Sequence, residues 1–296
     1  MKWLRALIAL AIVGAAIAWF ITAPKTIDAG ELAGLEPDLA RGETVFNAGG
    51  CASCHAAPEA TGDDKLLLGG GRQFPSDFGT FIAPNISTDA THGIGDWSAV
   101  DLANALLHGT GPGGQHYFPA FPYNAYNKME FGDVVSLHAY LRTLPADATP
   151  NQDHDVGFPF NIRRSLGGWK FLFASDDWIV TGDLTPEQER GRYLVEALGH
   201  CGECHTPRNA LGGLKRDEWL SGAPNPSGRG RIPNITPAGL DWSAADIAEY
   251  LKSGFTPDFD TAGGHMADVI ENTAKLEQAD RDAIVAYLKI VPAVGE

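Results

Sequence analysis

The chain of 296 residues is poor in cations, cysteine and methionine, and each shortage narrows what it can do. Lys and Arg number 22 against 37 Asp and Glu, a net charge of −15. Such a balance argues against a nucleic-acid backbone as partner and for a basic protein surface. Four cysteines are too few to staple a chain of this length as a disulfide scaffold. Three methionines, one of them the initiator, leave Met129 and Met266 as the available thioethers. No convincing strand alternation stands out, which points away from an all-β architecture. With 44% hydrophobic and 20% charged residues the chain is a folded, loop-rich protein rather than a disordered tail. Its length favours about two domains.

What is present is concentrated in the cysteines, which fall in two identical frames: Cys51-Ala52-Ser53-Cys54-His55 and Cys201-Gly202-Glu203-Cys204-His205. Two thiols three positions apart, followed at once by an imidazole, suit thioether attachment to the vinyl groups of a haem, with the His facing the iron. Neither a disulfide framework nor a zinc site requires a His at that offset, and a lone thiol redox pair would not recur with it. Two covalently bound haem c groups are therefore expected, held by Cys51, Cys54, Cys201 and Cys204, with His55 and His205 on the irons.

The sixth ligands are less symmetrical. A thioether is a soft ligand that favours Fe(II) and raises the potential, which suits an electron carrier. Met266 stands twelve residues after Gly254, in an expected loop before the last helix, and is assigned to the His205 haem. Twelve residues after Gly109 stands Phe121, which cannot bind iron. Met129 is then the candidate for the His55 haem, with core packing of Met129 as the alternative. His116, His108 or an open iron would take its place, and an open iron would suit a haem enzyme or a sensor.

Internal repetition sets the architecture. Arg41-Gly42 and Arg190-Gly191 precede the two haem motifs at nearly the same distance, and Pro84-Asn85-Ile86 and Pro233-Asn234-Ile235 follow them. Asp96-Trp97-Ser98 leads to Asp101 and Gly109, as Asp241-Trp242-Ser243 leads to Asp246 and Gly254. Asp133, Leu137, Tyr140 and Pro145 answer Asp280, Ile284, Tyr287 and Pro292. Ser98 and Ser243 are N-cap residues, Gly109 and Gly254 helix stops, and the segments ending at Pro145 and Pro292 amphipathic helices. An all-α chain with two tandem class I-like cytochrome c domains is expected, in which the first and last helices of each cross. Pro84 and Pro233 are expected to accept the Nδ1 hydrogen of the iron-bound His and raise its basicity. Asn85 and Asn234, with the Ser or Thr beside them, suit haem propionates.

From Ala6 to Pro24 the chain carries no charge, flanked by Lys2 and Arg5 before and Lys25 after. That run makes about 28 Å of helix, enough to cross a bilayer core, with the N-terminus inside. Cleavage as a signal peptide is the alternative, although Ile21-Thr22-Ala23 followed by Pro24 makes a poor cleavage site. The expected division is a membrane anchor at 1–25, haem domains at 36–147 and 183–296, and a connector at 148–182. The connector's apolar stretch from Phe158 to Phe173 is expected to pack between the domains, with a membrane-facing or docking surface as the alternative.

These residues carry a family resemblance from about Leu39 to Pro292. Ala83-Pro84-Asn85-Ile86, the run Tyr117 to Tyr123, the connector Phe158-Pro159-Phe160-Asn161-Ile162-Arg163 with Trp169, and Met266-Ala267-Asp268-Val269 are its most specific parts. The chain resembles the membrane-bound cytochrome c subunits of bacterial periplasmic alcohol and gluconate dehydrogenases, and their diheme relatives. Those subunits typically carry three haems and read Pro-Ala-Met-Pro-Tyr where this chain has Phe121, so the Met129 assignment rests on this chain alone. The resemblance implies electron transfer from a periplasmic dehydrogenase to an oxidase, a soluble cytochrome or quinone. It also implies haem domains on the periplasmic side of the bacterial inner membrane, and no intrinsic substrate chemistry.

Overall fold

The computed structural model describes residues 1–226 and 230–295. Helix α1 (Lys2–Ile21) is uncharged after Arg5 and buries none of its residues against the rest of the chain. Helices are the main regular structure of the remainder. Its N-terminal half contains α2 (Leu39–Ala48), α3 (Cys51–His55), α4 (Ala99–His108), α5 (Tyr123–Tyr126) and α6 (Phe131–Leu141). Helix α7 (Ser165–Phe173) lies in the connector. The C-terminal half contains α8 (Pro186–Tyr193), α9 (Gly202–His205), α10 (Ala244–Ser253), α11 (His265–Thr273) and α12 (Gln278–Leu288).

One helix crossing occurs twice. Helix α2 packs on α6 and α8 packs on α12, each pair meeting at a glycine. A Cβ on Gly42 would lie 2.2 Å from the Ser136 carbonyl oxygen, and one on Gly191 would lie 1.9 Å from that of Ala283. Beside each crossing an arginine reaches the first turn of the partner helix. Arg41 pairs with Asp133, and Arg190 grips Asp280 in a two-pronged contact with both bonds at 2.8 Å. The repeated Arg-Gly pairs thus mark close backbone approach and its ionic clasp. Alanine favours a helix over glycine by about 1 kcal/mol, yet Gly191→Ala is expected to destabilise by about 1–3 kcal/mol through overpacking. Thermal unfolding of the variant checks this, and an unchanged or raised Tm contradicts the crossing geometry.

The caps follow the sequence. Ser98 and Asp101 form a reciprocal capping box on α4, which ends at Gly109 with φ 57°. Ser243 caps α10, which ends at Gly254 with φ 77°. Thr185 and Gln188 form a second box ahead of α8, with Pro186 in its first turn. Past α8 the chain continues as a wider turn over Leu194–Leu198, where the buried Glu196 accepts from the Ile179 and Val180 amides and from the Tyr287 hydroxyl at 2.6 Å.

Three expectations need correction. The chain is not purely helical: β1 (Gln73–Ser76) pairs with β2 (Gly79–Ile82), and β3 (Ala223–Pro224) with β4 (Arg231–Ile232), as antiparallel hairpins. Strands of four and two residues are too short to show a period of two. Met266 is not in a loop but in the first turn of α11, because the run from His265 to Thr273 carries its own helical face with Ile270 and Thr273 buried. The connector packs between the halves with one face only. Trp169 and Phe173 are half-buried against Tyr123 and Gly213, while Phe158, Phe171 and Leu172 stand exposed.

Candidate haem sites

Each haem motif begins where the chain turns sharply. Gly50, ahead of α3, has φ 61°, and His200, ahead of the second motif, has φ 42°. One helical turn then places both cysteines and the histidine of each motif together. The ring of His55 places Nδ1 2.8 Å from the Pro84 carbonyl oxygen, and that of His205 places it 2.8 Å from the Pro233 oxygen. A carbonyl can only accept, so Nδ1 carries the proton and the Nε2 lone pair is free to face a metal. Burial pulls both imidazoles below their ordinary pKa, against the opposing pull of the proline carbonyls, so the neutral form is held.

The segments carrying these prolines are fixed by further matched contacts. Gly70 donates to the His55 carbonyl and Gly222 to the His205 carbonyl, both at 2.7 Å. Both glycines have positive φ and sit against the backbone of the proline segment, Gly70 at Ala83 and Gly222 at Ile232. Leu68 and Leu220, both fully buried, adopt left-handed backbone and accept from Ile86 and Ile235 at 3.0 Å. Sequence reasoning overlooked these residues. Their signal was a Leu-x-Gly triplet recurring between each motif and its proline.

Burial pushes the Cys51 and Cys201 thiols up to about 12 and Cys54 to about 11. No disulfide joins the four sulfurs. Paired thiols on one turn, with a neutral imidazole whose outer nitrogen is tied back, are the donor set that haem c requires, and the residues fit it.

The other expected residues fall in different settings. Met129 is buried in the core with Phe46, Ala52, Leu68 and Tyr126. Tyr126, whose carbonyl accepts from the Met129 amide, donates to the Gly49 carbonyl at 3.0 Å, two residues before Cys51. Met266 is half-buried in α11. His116 is committed elsewhere, one ring nitrogen 3.0 Å from the Thr22 carbonyl and the other 3.1 Å from the Lys170 ammonium. Asn85 and Asn234, expected to serve propionates, also make contacts within the fold. Asn85 donates to the Asp147 and Thr149 carbonyls and Asn234 to that of Val294, so each ties its loop to the end of its own half.

The two motifs also meet each other. His200 Nε2 lies 3.1 Å from the Gly49 oxygen, with its ring edge-on to Tyr126 at 5.7 Å. Helix α11 reaches over to the first motif: Asn272 donates to the Ser53 hydroxyl at 2.6 Å, and Asp268 pairs with Arg72 at 2.7 Å. Arg72 in turn donates to the Ser53 carbonyl, and Lys65 pairs with Glu271. None of Arg72, Asp268, Asn272 or His200 was foreseen as part of the site. The one trace in sequence is that α11 carries Asp268 and Glu271, whereas α5 carries no acid.

Two such motifs on a helical frame define a c-type cytochrome. The cytochrome c family model matches residues 39–145. Over 291 residues the chain is 58% identical to the protein named diheme cytochrome c-type of Cereibacter sphaeroides, covering 98% of each. It therefore belongs to the diheme c-type cytochromes and carries two covalently bound haem c groups. It is also 42% identical over 269 residues to the fructose dehydrogenase cytochrome subunit of Gluconobacter japonicus, covering 88% of this chain and 54% of that one. Against the gluconate 2-dehydrogenase cytochrome c subunit of Pantoea cypripedii the identity is 34% over 267 residues, covering 86% and 59%. The chain thus spans little more than half the length of those two dehydrogenase subunits.

Proposed function

We propose that the chain relays electrons from a periplasmic dehydrogenase to a respiratory acceptor, an oxidase, a soluble cytochrome or quinone, through two tandem haem domains. The domains are residues 36–147 and 183–296, joined by 148–182. Residues 1–25 anchor them in the bacterial inner membrane with the haems on the periplasmic side. In this reading Cys51 and Cys54 hold one porphyrin, Cys201 and Cys204 the other. His55 with Met129 would hold the first iron, and His205 with Met266 the second. Pro84 and Pro233 orient the histidines. Bound haem supplies one-electron cycling between Fe(II) and Fe(III), and no substrate bond is made or broken.

The observation that carries the reading is the interlock of the two motifs. The helix bearing Met266 is clasped through Asp268 and Arg72 to the peptide at Ser53, inside the first motif. A carrier with two separate roles would not need the helix bearing Met266 pinned to its first haem turn. A relay does, because electron exchange depends on a fixed short separation. The dehydrogenase subunits among its relatives support a donor of that class.

The acidic balance defines the partner's charge. Opposite charge speeds encounter and salt screens it, with a Debye length falling from about 30 Å at 0.01 M to about 10 Å at 0.1 M salt. Stopped-flow oxidation of the fully reduced chain by a basic c-type cytochrome is expected to deliver two electrons per chain. The second-order rate is expected to fall about tenfold or more over that range of salt. Delivery of a single electron overturns the relay, and a salt-independent rate overturns electrostatic steering.

A further inference from the structure

Helix α1 does not leave the folded part as a free tether. The Arg164 side chain donates to the Thr22 hydroxyl at 2.9 Å and to the Trp19 carbonyl, with its guanidinium 4.2 Å above the Trp19 ring. His116 donates to the Thr22 carbonyl, and Gly167 packs so closely that a Cβ there would lie 2.4 Å from that same oxygen. A few residues on, the Ile27 amide donates to Asn104 of α4 at 2.8 Å. The end of the apolar helix is thus seated on α7 and on the loop before α5.

Beside that seat the connector leaves apolar side chains in the open. Phe158 is 81% exposed, Phe171 67% and Leu172 64%, with Phe160 and Ile162 also exposed. Leu211, from the C-terminal half, joins them: its carbonyl accepts from Trp169 of α7 at 2.8 Å. The ring of Phe160 meets Phe78 edge-on at 5.1 Å, and Phe78 lies against Gly212. These contacts join Phe160 to Leu211 through Phe78 and Gly212, and Leu211 to α7 through Trp169, so both halves and the connector meet in this region. The cations nearby are turned inward: Arg163 donates to the His116 carbonyl and Lys170 to those of His108 and Gly109. Several large apolar side chains left open in one segment mark an interaction surface, and elements lying in a lipid interface present such side chains.

We propose that the connector is a second membrane contact. Residues 158–173 lie in the headgroup and acyl boundary beside the exit of α1, with Phe158, Phe160, Phe171, Leu172 and Leu211 inserted into lipid. The occupant is a lipid surface because the patch is continuous with the end of the helix that spans it. The proposal rests on α1 being that span. Its consequence is a fixed tilt of both haem-bearing halves over the membrane rather than a swinging tether.

The test reconstitutes the full chain, with both haems, in nanodiscs of three parts phosphatidylcholine to one part phosphatidylglycerol. Lipids with a diazirine on the acyl chain are photolysed and the cross-linked peptides are mapped by mass spectrometry. Cross-links are expected in α1 and, separately, in the peptides covering 158–173. In a chain carrying Phe158→Asp, Phe171→Asp and Leu172→Asp the connector cross-links are lost, while those of α1 and the haem absorbance remain. Labelling of α1 with residues 158–173 of the wild-type chain unlabelled overturns the proposal, whether water or a second copy covers the patch. An unlabelled α1 overturns the anchor reading itself, and this inference with it.

Discussion

Replacing Met266 by histidine lowers the midpoint potential of one haem by on the order of 0.2–0.3 V, a fraction of the roughly 0.8 V that axial ligation spans. The other haem keeps its potential. The cause is chemical: a thioether is a poor donor to Fe(III) and favours the reduced state, whereas imidazole is a stronger donor and favours the oxidised state. The structure gives the substitution room to act locally. Met266 is half-buried at the start of α11, and the residues that hold this helix in place, Asp268, Glu271 and Asn272, are untouched by it. Potentiometric titration followed in the visible bands is the check. Two waves are expected in the wild-type chain, and a widened gap in the variant. A titration curve that does not move shows that Met266 is not on iron. Because the relay depends on downhill transfer, the variant is also expected to trap the electron on whichever haem becomes the better acceptor.

Removing both sulfurs of the second motif, with Cys201→Ala and Cys204→Ala, halves the covalent haem content from two per chain to one. The thiols are the points of attachment, and nothing else in the C-terminal half offers a sulfur nucleophile, since all four cysteines lie in the two motifs. Loss of the porphyrin also strips the core of its partner. The half is therefore expected to lose stability by several kcal/mol through the cavity left behind. Pyridine haemochrome absorbance per chain measures the first effect and thermal unfolding the second. Two covalent haems in the variant contradict the assignment of the motif.

Much of this was legible because the same local chemistry is written twice. Arg41-Gly42 and Arg190-Gly191 report a helix crossing that tolerates no side chain, and Asp133 and Asp280 report the clasp beside it. Ser98, Ser243, Gly109 and Gly254 report helix ends through cap chemistry that operates over three or four residues. The proline carbonyls over His55 and His205 were legible for a related reason: a C-x-x-C-H turn leaves one ring nitrogen needing an acceptor. What escaped depends on juxtaposition in space. Arg72 and Asp268 are 196 residues apart, and nothing local to either marks the pair. The contacts by which Asn85 and Asn234 tie their loops to the ends of the two halves are equally hidden from local sequence. The connector's two faces appeared as one apolar stretch, because its aromatic and aliphatic residues are interrupted by Asn161, Arg163, Arg164, Ser165 and Lys170 without a clear period from which to read an inside and an outside.

The claim on which the rest depends is that both irons are closed by His and Met, which makes the chain a carrier rather than a catalyst or a sensor. Low-temperature EPR with near-infrared magnetic circular dichroism on the oxidised full chain, compared with Met129→Leu, tests it most directly. Two low-spin His/Met haems are expected in the wild-type chain, with one of the two signatures lost in the variant. A high-spin or bis-histidine haem already present in the wild-type chain would contradict the account at the His55 haem, and high-spin iron would point to an open site for substrate or gas.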